Sequence, residues 1–264
     1  MTEIHHDRPL DGWRVLVPRG GPWGDGVAAS LRSQGAVPVV APLINFAPTT
    51  DQAALDRALE NLADGAYDWL TVTSATTVDV MFAHRAVVPR TTRIAAVGET
   101  TAAALQAVGY EVALVPEDDN SAEGMAEQII ALEGIASRKI LALRSEIAKP
   151  VLSRLLKKAG HDVDSVVAYR TVGVPVTDRI MRDVQNGRIN AILITSGSVA
   201  QQVREQFPDI PEKTLLAAIG PRTAKDALKA GLPITVVADR QTVDALIDAV
   251  SHFTLPHAAD ELAP

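Results

Sequence analysis

The chain has 264 residues, 47% hydrophobic and 22% charged, with a formal net charge of −7, enough for one large domain or two ordinary ones with a core in each. It has no cysteine, which excludes disulfides, cysteine-ligated zinc, iron–sulfur clusters and cysteine nucleophiles. An acidic chain with no Lys/Arg cluster and 4% aromatic residues offers neither the basic face nor the stacking platforms that nucleic acid needs.

The opening "MTEIHHDRPLDGW" has no apolar core of a signal peptide. Nothing later approaches the ~20 apolar residues of a membrane span, so a cytoplasmic protein without membrane attachment is expected. "RVLVP" (14–18) predicts a buried strand, then a flexible turn at Gly20-Gly21-Pro22, then a helix "GVAASLRSQG" ended by Gly35. "AVPVVAPLINF" (36–46) is extended, and Pro38 and Pro42 keep it from being a central strand. "TDQAALDRALENLADG" is a helix with Thr50 or Asp51 as N-cap. Strands "YDWLTVT", "RIAAV" and "EVALVP" then alternate with helices "SATTVDVMFAHR", "GETTAAALQAVG" and "SAEGMAEQIIALEG". The pattern restarts with strand "RKILAL", helix "IAKPVLSRLLKKAG", the extended "VDSVVAYRTVGV" and helix "TDRIMRDVQNG". Strands "NAILIT", "TLLAAI" and "ITVVA" follow, each trailed by a helix: "SGSVAQQVREQF", "GPRTAKDALKAG" and "TVDALIDAVSHF". The tail "TLPHAADELAP" is expected to fray, as is the start that carries His5 and His6; the other histidines, His84, His161, His252 and His257, form no spaced metal set. Apolar strands alternating with helices predict an α/β protein with parallel sheets covered on both faces.

The chain repeats itself. Thr73-Ser74 and Thr195-Ser196 lie 122 positions apart, as do Gly98 and Gly220, Thr101 and Thr223, and Gly109 and Gly231. "VLVPR" (15–19) and "ILALR" (140–144) lie 125 apart, as do Gly35 and Gly160. This is a duplicated α/β unit.

Ligands bind parallel α/β units beyond the carboxyl ends of the strands. Thr73-Ser74, Gly98-Glu99-Thr100-Thr101, Ser196-Gly197-Ser198 and Gly220-Pro221-Arg222-Thr223 stand there. Each would offer hydroxyls or N–H groups at a helix N-terminus, a setting for anions. Taken singly, each turn reads as an ordinary helix cap; taken as a duplicated set on one edge of both sheets, they read as a binding surface. Glu99 is a carboxylate where an anion should sit, and Pro221 removes one N–H. Neither a GxGxxG nor a GxxxxGK[ST] phosphate loop occurs.

The series "VLVPR", "DWLTVTSATTVDVMF", "AAVGETTAAAL", "AEGMAEQI", "ILALRSE", "VVAYRT", "ILITSGSV" and "AAIGPRTAKDAL" resembles the uroporphyrinogen-III synthase family over about residues 14–250. The resemblance implies two flavodoxin-like or Rossmann-like α/β domains with parallel sheets, joined by a two-stranded linker. Mapped onto this chain, domain one is 1–36 plus 175–264, domain two is 47–162, and the linker strands are 37–46 and 163–174. The residues alone suggest contiguous halves meeting near residue 135.

The resemblance also implies a reaction. The family takes hydroxymethylbilane, a linear tetrapyrrole with eight carboxylate side chains, expels its terminal hydroxyl, inverts the last ring and closes the macrocycle to uroporphyrinogen III. It implies no metal and no organic cofactor, a monomer, and a transient contact with hydroxymethylbilane synthase, which supplies the substrate. The family's general acid falls on Tyr169 in "VVAYRT"; a strand tyrosine is otherwise a packed aromatic with a wet hydroxyl, the reading given to Tyr67 and Tyr110. Substrate carboxylates would be held by Arg19, Thr73, Ser74, Gly98, Thr100, Thr101, Arg144, Ser196, Gly197, Ser198, Gly220 and Thr223, with Lys149, Arg170 and Arg222 as further cations. The alternative is a two-lobed small-ligand protein that binds a tetrapyrrole, or regulates a partner, without catalysis.

Overall fold

The computed structural model describes residues 8–254. In chain order these form β1 (Arg14–Val17), α1 (Gly21–Ser33), β2 (Val37–Val40), β3 (Ile44–Pro48), α2 (Gln52–Ala63), β4 (Trp69–Val72), α3 (Ala75–Ala83), β5 (Arg93–Ala96), α4 (Glu99–Ala107) and α5 (Ala122–Glu133). There follow β6 (Lys139–Ser145), α6 (Val151–Lys158), β7 (Asp162–Gly173), α7 (Asp178–Gln185), β8 (Ala191–Ile194), α8 (Gly197–Gln206), β9 (Leu215–Ala218), α9 (Pro221–Lys229), β10 (Val236–Val237) and α10 (Val243–Thr254).

The chain divides into two compact units. The first takes the described residues up to Asn45 and those from Val172 on; the second is Phe46–Thr171. The first unit's sheet has the order β2-β1-β8-β9-β10, with every neighbour parallel. Within that unit this is the flavodoxin-like order, in which the third strand in sequence crosses to the far side of the first. The second unit's sheet runs β3-β7-β6-β4-β5, parallel from β7 to β5. It is the same order entered at a different strand, with a single bridge from Ala95 to Leu114 in place of a fifth parallel strand.

Alternation along the strands builds a core on each face. In the first unit Val15 and Val17 pack with Val27, Leu31 and Leu246, while Leu16 packs with Ile192, Val203 and Phe207. In the second, Leu141 and Leu143 pack with Leu70, Met81 and Leu105, while Ile140 and Ala142 pack with Trp69, Met125 and Ile129.

The repeat is visible in the backbone. Gly35 and Gly160 end equivalent helices with φ of +92° and +93°, and Gly109 and Gly231 do so at +92° and +77°, the left-handed conformation that favours glycine.

At the amino ends of the second unit's strands, the buried Glu133 carboxylate takes hydrogen bonds from Trp69 Nε1 (2.9 Å), Arg138 Nε (2.5 Å) and the Arg93 guanidinium. Burial pushes its pKa up, but those three donors outweigh burial and hold it below the ordinary carboxylate value. Arg93 also lies over the Trp69 ring at 4.2 Å. This ion cluster therefore sits at the end of the sheet opposite the strand-to-helix turns.

Several expected elements differ. "EVALVP" makes only the Leu114 bridge, because its backbone bonds to β5 are confined to Ala113 and Leu114, which meet Ile94 and Ala96. Gly21-Pro22 is not a flexible turn but the start of α1, where proline's missing N–H costs nothing. Helix α6 begins at Val151, after Pro150, rather than near Ile147. Residues 37–40 are the edge strand paired with β1 along its length, and residues 162–167 pair with β6. The stretches 37–46 and 163–174 are thus largely sheet strands, and Pro38 is accommodated because β2 is an edge. His5, His6 and the tail from residue 255 lie outside the described residues.

Candidate functional site

In an open parallel sheet the crevice for a ligand forms beyond the strand ends at the point where strand order reverses. In the second unit that point lies between β6 and β4, and in the first between β1 and β8.

In the second unit β4 runs into Thr73-Ser74. Ser74 is the N-cap of α3, with its Oγ accepting the Thr77 N–H at 3.2 Å. The same Oγ lies 3.0 Å from Thr77 Oγ1 and 3.1 Å from the Tyr169 hydroxyl. Tyr169 is 7% exposed, its ring in the core that includes Val72, Val78, Met81 and Ala102. Phe46 meets it edge-on, centroids 5.3 Å apart and planes at 85°.

A β-bulge aims that ring. Arg144 pairs with Val167, but Ser145 pairs with Tyr169, so β7 carries one extra residue there. Val166, Ala168 and Tyr169 consequently all reach the same core, although 168 and 169 are consecutive. Without the bulge, strand alternation would send Tyr169 to the opposite face from Ala168.

Arg144, expected to reach substrate, is instead turned along its own strand end. Its Nε donates to Ser165 Oγ (3.1 Å), and its Nη1 to the carbonyls of Ser145 (3.0 Å) and Glu146 (3.2 Å). At the neighbouring turn Gly98 caps α4 without a side chain. The Thr101 N–H donates to the Gly98 carbonyl at 3.1 Å, which leaves the first-turn N–H groups of Glu99 and Thr100 for another acceptor. Thr100 is exposed, Glu99 is exposed, and Thr101 is buried with no side-chain hydrogen bond among the described residues. Lys149 is exposed, and Arg170 Nε donates to the Pro48 carbonyl at 3.0 Å.

The first unit repeats much of this. Ser196 caps α8, its Oγ accepting the Val199 N–H at 3.2 Å and lying 3.0 Å from Ser198 Oγ. Gly197 is the first helical residue. Thr195 Oγ1, the counterpart of Thr73, is buried without a partner. Gly220 caps α9 with Pro221 behind it; Arg222 is exposed and Thr223 is 5% exposed. At the end of β1, Arg19 is half-buried with its guanidinium 5.0 Å from the Trp23 ring centroid, and burial lowers its pKa. Gly24 lets α1 approach: a Cβ there would lie 2.1 Å from the Arg19 carbonyl oxygen. Counted from Gly35 and Gly160, the position matching Tyr169 holds Ile44.

The expected hydroxyl turns are therefore real helix starts, and Ser74 and Ser196 both act as caps. Sequence reasoning missed Thr77, Phe46 and the bulge. A hydroxyl three residues after a capping serine was the available signal for Thr77; the other two have none in a single sequence. Tyr67 and Tyr110 have structural partners. The Tyr67 hydroxyl donates to Asp164 at 2.8 Å, its pKa pushed up to about 12 by burial and that carboxylate, and Tyr110 donates to the Ala86 carbonyl at 2.7 Å. No cluster of three or more His, Cys, Asp or Glu side chains able to hold a metal exists among the described residues, nor is any described helix long and apolar enough to cross a membrane.

Fold and turns together define a class: a duplicated flavodoxin-like α/β protein with a hydroxyl-lined strand-end turn in each unit. The chain belongs to the uroporphyrinogen-III synthase family, whose model, "Uroporphyrinogen-III synthase HemD", matches residues 25–248. It is 30% identical over 252 residues to the porphyrin biosynthesis protein HemD of Ruminiclostridium josui, covering 91% of this chain and 48% of that one, so it spans about half that relative's length. It is 29% identical to the uroporphyrinogen-III synthase of Escherichia coli, over 89% of this chain and 99% of that one. Two solved structures share its fold. They are a mutant uroporphyrinogen III synthase of Thermus thermophilus (TM-score 0.63, 17% identity, 93% and 99% of the two chains) and uroporphyrinogen-III synthetase of Helicobacter pylori (TM-score 0.63, 19% identity, 91% and 99%).

Proposed function

We propose that the chain is a uroporphyrinogen-III synthase, a cyclising lyase of porphyrin and heme biosynthesis that closes hydroxymethylbilane to uroporphyrinogen III with inversion of ring D and loss of water. The observation that carries this reading is the family match over residues 25–248, which takes in both units. On this reading the pyrrole nitrogen pushes, the C–O bond of the terminal hydroxymethyl group breaks, and Tyr169 gives the departing oxygen its proton, so that water leaves. The remaining azafulvene is attacked by the far pyrrole, and the proton shed as the macrocycle rearomatises restores the phenol.

Holding the chain so that the inverted closure wins is a matter of position. The substrate's carboxylates find N–H groups and hydroxyls at Thr100, Thr101, Ser196, Ser198 and Thr223, with Thr73, Ser74, Gly98, Gly197 and Gly220 shaping those turns. Arg19 adds a cation; Arg144 acts through the backbone it braces. This scheme needs no cofactor. The protein works as a cytoplasmic monomer and receives its unstable substrate from hydroxymethylbilane synthase.

The test is to generate hydroxymethylbilane in situ, add the purified protein, oxidise the products and separate the isomers. Mostly isomer III is expected. Isomer I alone, at the spontaneous rate, refutes the proposal in favour of a protein that binds tetrapyrroles without turning them over.

A further inference from the structure

We propose that Ser74 is a positioning residue for Tyr169, setting which way the phenol proton points; the inference rests on the reading of Tyr169 as the acid. Three contacts surround Ser74 Oγ: the Thr77 N–H at 3.2 Å, Thr77 Oγ1 at 3.0 Å and Tyr169 Oη at 3.1 Å. A serine hydroxyl has one proton and two lone pairs. The N–H fills one lone pair, and in the arrangement proposed the Thr77 hydroxyl donates into the other. Ser74's own proton then goes to the Tyr169 oxygen, and the tyrosine's proton is turned away from the pair toward the strand-end turn. When that proton passes to the leaving hydroxyl, the Ser74 O–H is already donated to the phenolate left behind, which is stabilisation arranged in advance.

The ring is fixed for this purpose from two sides. The bulge at Arg144/Ser145 puts it on the core face, and the Phe46 edge holds it there. The first unit supplies an internal comparison. Ser196 makes the same cap and the same hydroxyl pair with Ser198, yet the position matching Tyr169 is Ile44. The cap is duplicated and the phenol is not. A cap alone therefore accounts for Ser196 and leaves the third contact of Ser74 unexplained.

Ser74→Gly tests this, because glycine is itself an accepted N-cap and keeps the helix start. Ser74→Thr keeps the hydroxyl. Steady-state kinetics and thermal unfolding of both variants, of Tyr169→Phe and of the Ser74→Gly/Tyr169→Phe double variant complete the set. The expected result is a kcat about 10-fold lower in Ser74→Gly with KM within about twofold, recovery of most of it in Ser74→Thr, and a double variant no slower than Tyr169→Phe. Three results overturn the inference while Tyr169 remains the acid: an unchanged kcat in Ser74→Gly, a loss expressed as raised KM, or a double variant slower than Tyr169→Phe. A wild-type rate in Tyr169→Phe overturns the acid reading itself, and Ser74's role with it.

Discussion

Asp68 and Asn190 hold the same place in the two units and make the same hydrogen bond. The Asp68 carboxylate accepts the Lys139 N–H at 2.8 Å, and the Asn190 side-chain oxygen accepts the Arg14 N–H at 2.8 Å. Each stands just before the central strand β4 or β8 and ties it to the neighbouring strand's start. A second pair repeats nearby: Thr92 Oγ1 donates to the Tyr67 carbonyl at 2.6 Å, and Thr214 Oγ1 to the Ile189 carbonyl at 2.9 Å. The duplication thus extends to side-chain clamps on the backbone, not only to the order of elements.

Thr92→Val and Thr214→Val should each destabilise by about 1–2 kcal/mol, since each leaves a buried carbonyl without its donor at nearly unchanged volume. The two sites share no partner, so the double variant should lose the sum. Denaturant unfolding of the three proteins measures this; one silent site would mean that the clamp is structural in one unit only.

Tyr169→Phe should lower kcat by roughly 10²–10³-fold, within the range of a lost general acid. Folding should change by only about 1 kcal/mol, because one hydrogen bond to a serine is lost and the packed ring is kept. Product chromatography and thermal unfolding, run side by side, separate the two effects.

Thr101→Ala and Thr223→Ala should raise KM several-fold while folding shifts by less than about 1 kcal/mol. Both side chains are buried in the first turn of a glycine-capped helix and neither makes a side-chain hydrogen bond among the described residues, and alanine is the better helix former. A collapse of stability in either variant would assign that threonine to structure.

Acid should weaken the second unit through Glu133. Its folded pKa lies below the ordinary, unfolded value of 4.5. The stabilisation is therefore complete above that value and is lost as pH falls through the folded pKa. Glu133→Gln should flatten the acid limb of a stability–pH curve. At neutral pH Glu133→Ala should cost about 2–3 kcal/mol, less than the ~3–5 of a fully buried pair, because Arg93 and Arg138 are 43% and 38% exposed. Equal acid limbs in wild type and Glu133→Gln would refute this.

Much of the α/β order was legible because apolar runs, capping serines and helix-ending glycines are local signals: Asp51, Ser74 and Ser196 cap where expected, and Gly35 turns left-handed where a helix should stop. What escaped was non-local. The 111–116 segment has strand composition but pairs with β5 only around Leu114, through a single bridge to Ala95 and hydrogen bonds to Ile94 and Ala96. The bulge depends on the register between β6 and β7, and the contact between Ser74 and Tyr169 joins residues 95 positions apart. Arg144 read as a free cation because the sequence does not show that the carbonyls of Ser145 and Glu146 come within reach of its guanidinium.

The route of the chain carries a consequence for synthesis on the ribosome. Arg14 meets Asn190 across 176 positions, and between the two parts of the first unit the whole of Phe46–Thr171 must emerge. At ~5–20 residues per second, β1 and β2 wait about ten seconds or more, with one edge of β1 unpaired, before β8 can join them. The residues of the inserted unit have all emerged by then. The half-made first unit is the vulnerable one. A pause or truncation after residue 171 would leave a finished unit attached to two apolar strands and a helix in search of a partner.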